Sequence, residues 1–418
     1  MDKRMEERDM TRISVVLAVF CAISYINYMI GQIFNIGGMV VSLTVLGAVM
    51  VLFYKTMLKV KLASLAFVLI TLITLYYITT RQISYTTLFG KEFLFYFCLS
   101  SVLAMYKCNV EKFFRYTTYA VLLILPLYGN IFENEEVKYI TMGLSYSLMP
   151  VLLAPMFHFM FYRKKAGFLM KILYIISFIM IVNLLLKGTR GFLMTVVVSV
   201  GFCFIHGVKK KRPNLPVIRL AIIALLSVFA VVYFQEIMAF LEMLFDKWDI
   251  DAYFIEKIRN LEGKGDITNG RSAIFEYTFE NIMKKPFFGH GLSTLFYNSN
   301  YRYVYPHNMF LQLLYDGGVV LSVPILLVLG YALIRTFKMV DTDEAAYMLF
   351  LISICLPQMM VSGDIWKNEF FWLLIMHTVK YHTGKSKKNK ENIQNFVPGE
   401  VEAVNAALSM QEHQVQNN

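Results

Sequence analysis

Apolar residues occur along most of this chain in runs that are long enough to cross a membrane. The runs are about 17 to 25 residues long and are separated by short charged segments. A helix satisfies its own backbone hydrogen bonds, so helices are the expected form of such runs in lipid. We therefore predict an all-α, polytopic integral membrane protein with about twelve transmembrane helices. The predicted spans are 13–30, 38–54, 62–79, 88–106, 113–132, 143–162, 167–186, 191–206, 218–234, 318–337, 345–362 and 370–381.

Composition and charge support this prediction and indicate an orientation. Hydrophobic residues make up 57% of the chain, charged residues make up 17%, and the formal net charge is +11. The basic residues concentrate in alternate loops, which is the pattern of cytoplasmic loops and places both termini in the cytoplasm. The basic clusters fall at 55–61, 107–115, 163–165, 209–212 and 385–390. Because this pattern accounts for the net charge, we expect no nucleic acid partner.

One connection between predicted spans is far longer than the others. It is polar, carries charges of both signs and contains two stretches with helical spacing of apolar residues, the second ending before Pro286. Connections of this length usually carry function. We predict N-terminal transmembrane helices over 1–235 (about nine spans), a large extracytoplasmic helical loop over 236–306, C-terminal transmembrane helices over 307–383 and a disordered cytoplasmic tail over 384–418.

Cysteine and histidine usage gives no sign of a disulfide, a metal site or a cofactor. The five cysteines fall in predicted spans or in a cytoplasmic loop, where an extracytoplasmic disulfide does not form. The seven histidines are scattered, without the spacing of metal ligands. We therefore expect neither a metal ion nor a cofactor.

Three short motifs contain the candidate functional residues. Lys187 and Arg190 lie in "LLKGTRGF", between the seventh and eighth predicted spans. Arg271 lies in "TNGRSAIFEY" within the long loop, and His307 with Asn308 lies in "YPHNMFLQ" at the end of that loop. The alternation of spans puts all three motifs on the extracytoplasmic face, so we expect them to form one site.

Cations on this face require an explanation, because the positive-inside pattern disfavours them there. An anionic ligand supplies one, since the planar guanidinium donates two parallel hydrogen bonds to a phosphate. Arg190 and Arg271 also stand where helices are predicted to begin, and the free N–H groups of a helix start favour anions. We predict a phosphate site formed by these two arginines, with Lys187, Asn308 and Lys91 as further contacts; span alternation places Lys91 on the same face.

Each candidate also has a purely structural interpretation, which the residues alone leave open. Lys187 and Arg190 could extend from a span end to the interface, and Arg271 could be a solvated loop charge. His307 could be a hydrogen-bond partner beside the helix-capping Asn308, since a pKa near neutrality only permits acid-base chemistry.

Taken in order, "KGTRGF", "NGRSAIFE", "NIMKKPFFGHGLSTL" and "YPHNMFLQLLYDGGVV" resemble the O-antigen ligase and polysaccharide polymerase (Wzy-like) superfamily. The shared pattern is a Thr-Arg-Gly at a span start, an arginine opening a loop helix, a Pro-hydrophobic-Gly-x-Gly turn, and a His-Asn before an apolar helix with a glycine break. The resemblance covers 187–335. It implies that Arg190 and Arg271 hold the diphosphate of a lipid-linked sugar donor and that His307 acts near the acceptor hydroxyl.

The resemblance implies a glycosyltransferase of the bacterial cytoplasmic membrane with an extracytoplasmic active site. Its partners would be an undecaprenyl diphosphate-linked glycan donor, a glycan acceptor and the lipid bilayer, with other polysaccharide-assembly proteins as further candidates. We favour a polymerase, because the loop is moderate in size and no second extracytoplasmic domain is predicted. A ligase that attaches the glycan to lipid A core, a flippase for the lipid-linked glycan, and a sensor or scaffold remain alternatives.

Overall fold

The computed structural model describes residues 3–34, 44–45, 47–48, 51, 96–97, 99–126, 141–186, 190–208, 239–240, 242–244, 247, 271–339, 342–361 and 363–380. Regular secondary structure in these ranges is helical throughout, as predicted. The helices are α1 (Lys3–Phe34), α2 (Val110–Tyr119), α3 (Thr141–Tyr162), α4 (Phe168–Leu186), α5 (Arg190–Val208), α6 (Arg271–Lys284), α7 (Leu295–Asn298), α8 (Met309–Lys338), α9 (Thr342–Val361) and α10 (369–380). Single 3₁₀ turns lie at Arg163–Lys165 and Ile365–Lys367.

The described part of the chain has the spanning helices of an integral membrane protein. Five helices are long and apolar enough to cross a membrane: Glu6–Asn27, Leu144–Lys165, Phe168–Leu185, Met309–Lys338 and Asp343–Val361. A shorter apolar helix covers Phe192–Cys203. The predicted spans 38–54, 62–79 and 218–234 lie outside the described residues, apart from isolated positions, so the total of about twelve spans stays a prediction.

The core lies where α9 packs between α3 and α5 and against α2. Phe350 of α9 is fully buried, and its ring meets those of Phe113, Phe114 and Phe157 edge to face at centroid distances of 5.6, 5.2 and 5.4 Å. Edge-to-face pairs of this kind contribute about 0.5–1.5 kcal/mol each beyond the area that they bury. The cluster fixes α2, α3 and α9 relative to one another.

The helix α8 differs from its predicted span, which begins at 318. The helix starts at Met309, and residue Gly318 interrupts it with φ 60° and ψ −165°. The helix start agrees with the helical run expected after the cap Asn308, and the predicted span begins later because Gln312 and Asp316 lower the hydropathy of the segment from Met309 to Gly317 without preventing a helix. The span 318–337 therefore corresponds to the second half of a broken helix, and the first half belongs to the candidate site.

Candidate functional site

The candidate site is built on the first turn of α8. Asn308 has extended backbone angles, and its side-chain Oδ1 accepts hydrogen bonds from the backbone N–H groups of Phe310 (3.0 Å) and Leu311 (3.2 Å). This arrangement confirms Asn308 as the N-cap, and it occupies the amide oxygen with the helix itself. Any ligand contact by Asn308 would have to come from its other atoms.

His307 directly precedes this cap and has an unusual conformation. Its backbone φ is 54°, in the left-handed region that residues other than glycine seldom adopt. Its Nδ1 is buried and has no hydrogen-bond partner among the residues that the structure describes. The ring lies against that of Tyr305, with 4.3 Å between centroids. A strained backbone together with an unsatisfied ring nitrogen is typical of a side chain that is held for function.

Arg271 lies near enough to His307 for its charge to act on the imidazole. Arg271 is the first residue of α6, and its side chain is half-buried. Burial and, secondly, the nearby charge of Arg271 lower the pKa of His307. Burial raises the pKa of Tyr305 to about 12, with the charges of Asp364 and Tyr146 adding to the rise and that of Arg271 opposing it. Arg271 thus lies within electrostatic reach of both rings, and burial together with its charge favours the neutral form of His307 by lowering its pKa.

The position of α6 beside α8 depends on the break at Gly318. A break in a helix leaves carbonyl groups before it and N–H groups after it without partners. The turn "PFFGHG" that follows α6 supplies those partners through backbone hydrogen bonds in both directions. The bonds are His290 N to Tyr315 O (2.7 Å), Gly291 N to Asp316 O (2.9 Å), Val319 N to Pro286 O (2.9 Å) and Val320 N to Phe287 O (3.1 Å).

Two glycines make this close approach of loop and helix sterically possible. Gly289 has φ 68°, and a Cβ there would lie 2.5 Å from the carbonyl oxygen of Asp316. A Cβ on Gly318 would overlap the backbone carbonyl of Phe287. His290 contributes to the turn by stacking on Tyr315 at 4.7 Å and by donating from Nε2 to the carbonyl of Asn281 (2.8 Å).

The sequence alone did not reveal a polar network that ties α8 to the segment before α10. Gln312 donates to Asp364 Oδ1 (2.6 Å) and accepts from the backbone N–H of Ile365 (3.1 Å). One turn further along α8, the buried carboxylate of Asp316 accepts a hydrogen bond from Trp366 Nε1 (2.5 Å). The available signal was the i, i+4 spacing of Gln312 and Asp316 on one helix face, together with a polar "SGDIWKNE" between two apolar runs.

Arg190 is the first residue of α5, as predicted. Few residues separate α3, α4 and α5 along the chain, so we expect these helices to alternate in direction and α5 to start on the side where α3 starts. Tyr146, near the start of α3, lies close enough to Tyr305 to affect its pKa. The side chain of Arg190 is outside the described residues, as are Lys187 and Lys91 entirely, so their contacts stay predictions.

A pH profile tests whether His307 accepts a proton. Because burial and Arg271 lower its pKa, the neutral imidazole should persist to a more acidic pH than an ordinary histidine allows. The rate of modification of His307 by diethyl pyrocarbonate, which attacks neutral imidazole, should therefore have an acid midpoint below that of a surface histidine. Replacing Arg271 with methionine should move this midpoint to higher pH. A midpoint that is unchanged by the substitution would contradict the electrostatic coupling.

Residues 175–326 match the family model described as O-antigen ligase. The matched segment begins within α4 and ends within α8. It contains Arg190, Arg271, His307 and the residues on both sides of the helix break at Gly318. The match confirms the resemblance that the ordered motifs indicate, over nearly the same part of the chain. No curated protein matches the chain.

Proposed function

We propose that this chain, which resembles the O-antigen ligase family over 175–326, is a polysaccharide polymerase. It would transfer glycan repeat units from undecaprenyl diphosphate to a sugar hydroxyl on the outer face of the bacterial cytoplasmic membrane, in capsule, exopolysaccharide or O-antigen assembly. The observation that carries the proposal is the meeting of Arg271 and His307 at the starts of α6 and α8. A permanent cation beside a neutral imidazole is the pair that this transfer requires.

The cations act on the donor. A lipid diphosphate is already a good leaving group, so the protein has to position it and neutralise the charge that develops as the glycosidic bond breaks. Arg271 presents its guanidinium at a helix start, where the backbone N–H groups also favour an anion. Arg190, which begins α5 on the same side, is the second cation of the proposal, with Lys187 and Lys91 as outer contacts.

His307 acts on the acceptor. Its lowered pKa keeps the ring neutral, so it can take the proton of an attacking sugar hydroxyl as that oxygen bonds to the anomeric carbon. The displaced diphosphate then leaves from the opposite face of the sugar, and the product linkage is inverted. A product linkage with retained configuration would contradict this single displacement.

The charges on the described helices support an assignment of the site to one side of the membrane. The half-buried Tyr146, near the start of α3, faces the candidate site, whereas α3 ends in the exposed basic turn Arg163–Lys165. Basic residues at a span end favour the cytoplasmic face. This supports a cytoplasmic position for the basic turn, for both chain termini and for the tail, and an extracytoplasmic position for the site.

The second candidate is a ligase that attaches finished lipid-linked glycan to lipid A core or to another acceptor. The matched family is that of O-antigen ligases, which supports this candidate directly. Both reactions use the same donor chemistry, so Arg271 and His307 serve either one. We favour the polymerase because the predicted loop is moderate in size and contains no second domain that would bind a larger acceptor.

One experiment separates the candidates. The gene is deleted in its host and complemented with the wild-type chain or with His307→Ala, and lipid-linked and surface glycans are then sized. Loss of a polymerase leaves single repeat units on the carrier, whereas loss of a ligase leaves long lipid-linked polymer that is not attached to an acceptor. Loss of a flippase leaves intermediates on the cytoplasmic side. Wild-type glycan from His307→Ala would refute the site itself.

A further inference from the structure

The loop helix α6 and the turn after it expose large apolar side chains. Phe279 and Met283 lie one turn apart on α6, and their side chains are 59% and 64% exposed. Phe287 and Phe288 follow in the turn and are 66% and 70% exposed. We refer to these four residues as the apolar loop face. A contiguous apolar surface of this kind is unfavourable in water and is typical of a contact surface.

The apolar loop face is continuous with the exposed surface of the second half of α8. The hydrogen bond from Val320 N to Phe287 O (3.1 Å) puts these two exposed residues side by side. From Val320, an exposed apolar stripe follows α8 at helical spacing. Its members are Val320 (53%), Val323 (46%), Leu327 (67%) and Ile334 (59%). On a helix that is long and apolar enough to cross a membrane, such a stripe is the surface that meets lipid.

The length of this half of α8 places the apolar loop face at the edge of the bilayer. The helix runs from the break at Gly318 to Lys338, a distance of about 30 Å at 1.5 Å per residue, which equals the thickness of the hydrocarbon core. If Lys338 lies at one interface, Phe287 and Phe288 lie at the other. Phenylalanine is among the residues that interfacial segments insert at the boundary of headgroups and acyl chains.

The exposed surface of α6 is divided between apolar and charged residues. Phe279 and Met283 form one flank, whereas Glu280 and Lys284 are exposed on the neighbouring flank. Lys285 is exposed where α6 gives way to the turn. This distribution is typical of a helix that lies in a membrane interface, with one flank in the acyl chains and the other in the headgroups.

We propose that the apolar loop face is seated among the acyl chains of the membrane leaflet nearest the candidate site. The contact holds the Lys284 end of α6 at the bilayer edge. Arg271 stands at the other end of this 14-residue helix, about 20 Å away along its axis. The membrane contact therefore sets the height of Arg271 relative to the lipid headgroups. The inference depends on the spanning helix α8 and not on the proposed reaction.

Fluorescence quenching by brominated lipids tests this contact without any activity measurement. Single cysteines are introduced as Phe287→Cys, Met283→Cys, Leu327→Cys and Glu280→Cys in a chain whose five native cysteines are replaced by alanine. Each variant is labelled with bimane and reconstituted in vesicles of phosphatidylethanolamine and phosphatidylglycerol, with or without bromine on the acyl chains. Size-exclusion chromatography selects variants that remain folded. If Phe287→Cys does not fold, Met283→Cys reports on the apolar loop face in its place.

Labels at positions 283 and 287 are expected to lose several-fold more fluorescence to acyl-chain bromine than the label at 280, approaching the loss at Leu327 on the α8 stripe. Equal quenching at 280, 283 and 287 would overturn the proposal. So would protection from bromine combined with disulfide cross-linking of Phe287→Cys between two chains, because a second copy would then cover the face. Either result would overturn only the membrane contact. The glycan analysis tests the proposed transfer reaction independently.

Discussion

Replacing Arg271 with alanine is expected to slow glycan transfer by about 10²–10³-fold, the usual cost of losing one preorganised group that stabilises developing charge. Arg271→Lys should recover only part of this loss, because an ammonium group keeps the charge but cannot donate two parallel hydrogen bonds to the diphosphate. The measurement is the rate of chain elongation from purified lipid-linked donor in vesicles.

The matched control for this prediction is Arg302→Ala. Arg302 is exposed in the same loop segment and lies over the ring of Tyr303 at 5.1 Å, and Arg271, rather than Arg302, is the cation that affects the pKa of His307 and Tyr305. This variant should transfer glycan at the wild-type rate. If Arg302→Ala and Arg271→Ala slowed transfer equally, general loop charge would explain the effect and the assignment of Arg271 would be wrong.

Replacing Gly318 with alanine is expected to abolish the site by a different route. Its φ of 60° with ψ of −165° is a conformation that glycine alone adopts readily, and strain of this kind costs about 1–3 kcal/mol. The added Cβ would also overlap the Phe287 carbonyl, so the turn would have to leave the break. The backbone hydrogen bonds between the turn and α8 would then be lost, and with them the position of Arg271.

Gly330→Ala is the matched control, since Gly330 belongs to the same helix and a Cβ there meets nothing within 4 Å. Alanine favours a helix over glycine by about 1 kcal/mol, so this variant should be unchanged or slightly more stable. Thermal unfolding in detergent and protease cleavage of the loop measure the difference. A Gly318→Ala protein with wild-type Tm and an intact, protected loop would show that the break is not needed to seat α6.

Local signals in the sequence predicted much of the site. Asn308 has the side chain of a cap and lies immediately before an apolar-rich run, and the structure has it as the cap of α8. The helix that begins at Arg271 follows from its spacing and from the proline after it. These features depend on neighbours within a few residues, which is the range over which a single sequence is informative.

The remaining features depend on partners that are distant along the chain. Hydropathy placed the start of the span at 318 because Gln312 and Asp316 are polar, yet both are buried once Asp364 and Trp366 supply their hydrogen bonds. Periodicity cannot show which loop fills a helix break, so the pairing of "PFFGHG" with Gly318 was not predicted. The structure adds the backbone hydrogen bonds between this turn and α8, which seat α6, and therefore Arg271, beside α8. No local sequence pattern contains them.

The bond between Trp366 and Asp316 joins residues 50 positions apart, and this separation has a consequence for biogenesis. Translation delivers Asp316 first, so α8 begins to insert while its carboxylate lacks the indole that later satisfies it. A buried acid without a hydrogen-bond partner is costly, so we expect the first half of α8 to stay in contact with water until the indole has been made. We therefore expect the N-terminal end of α8 to become fixed in position only after α9 and the Ile365–Lys367 turn have been synthesised. A chain truncated before that turn should not complete its site.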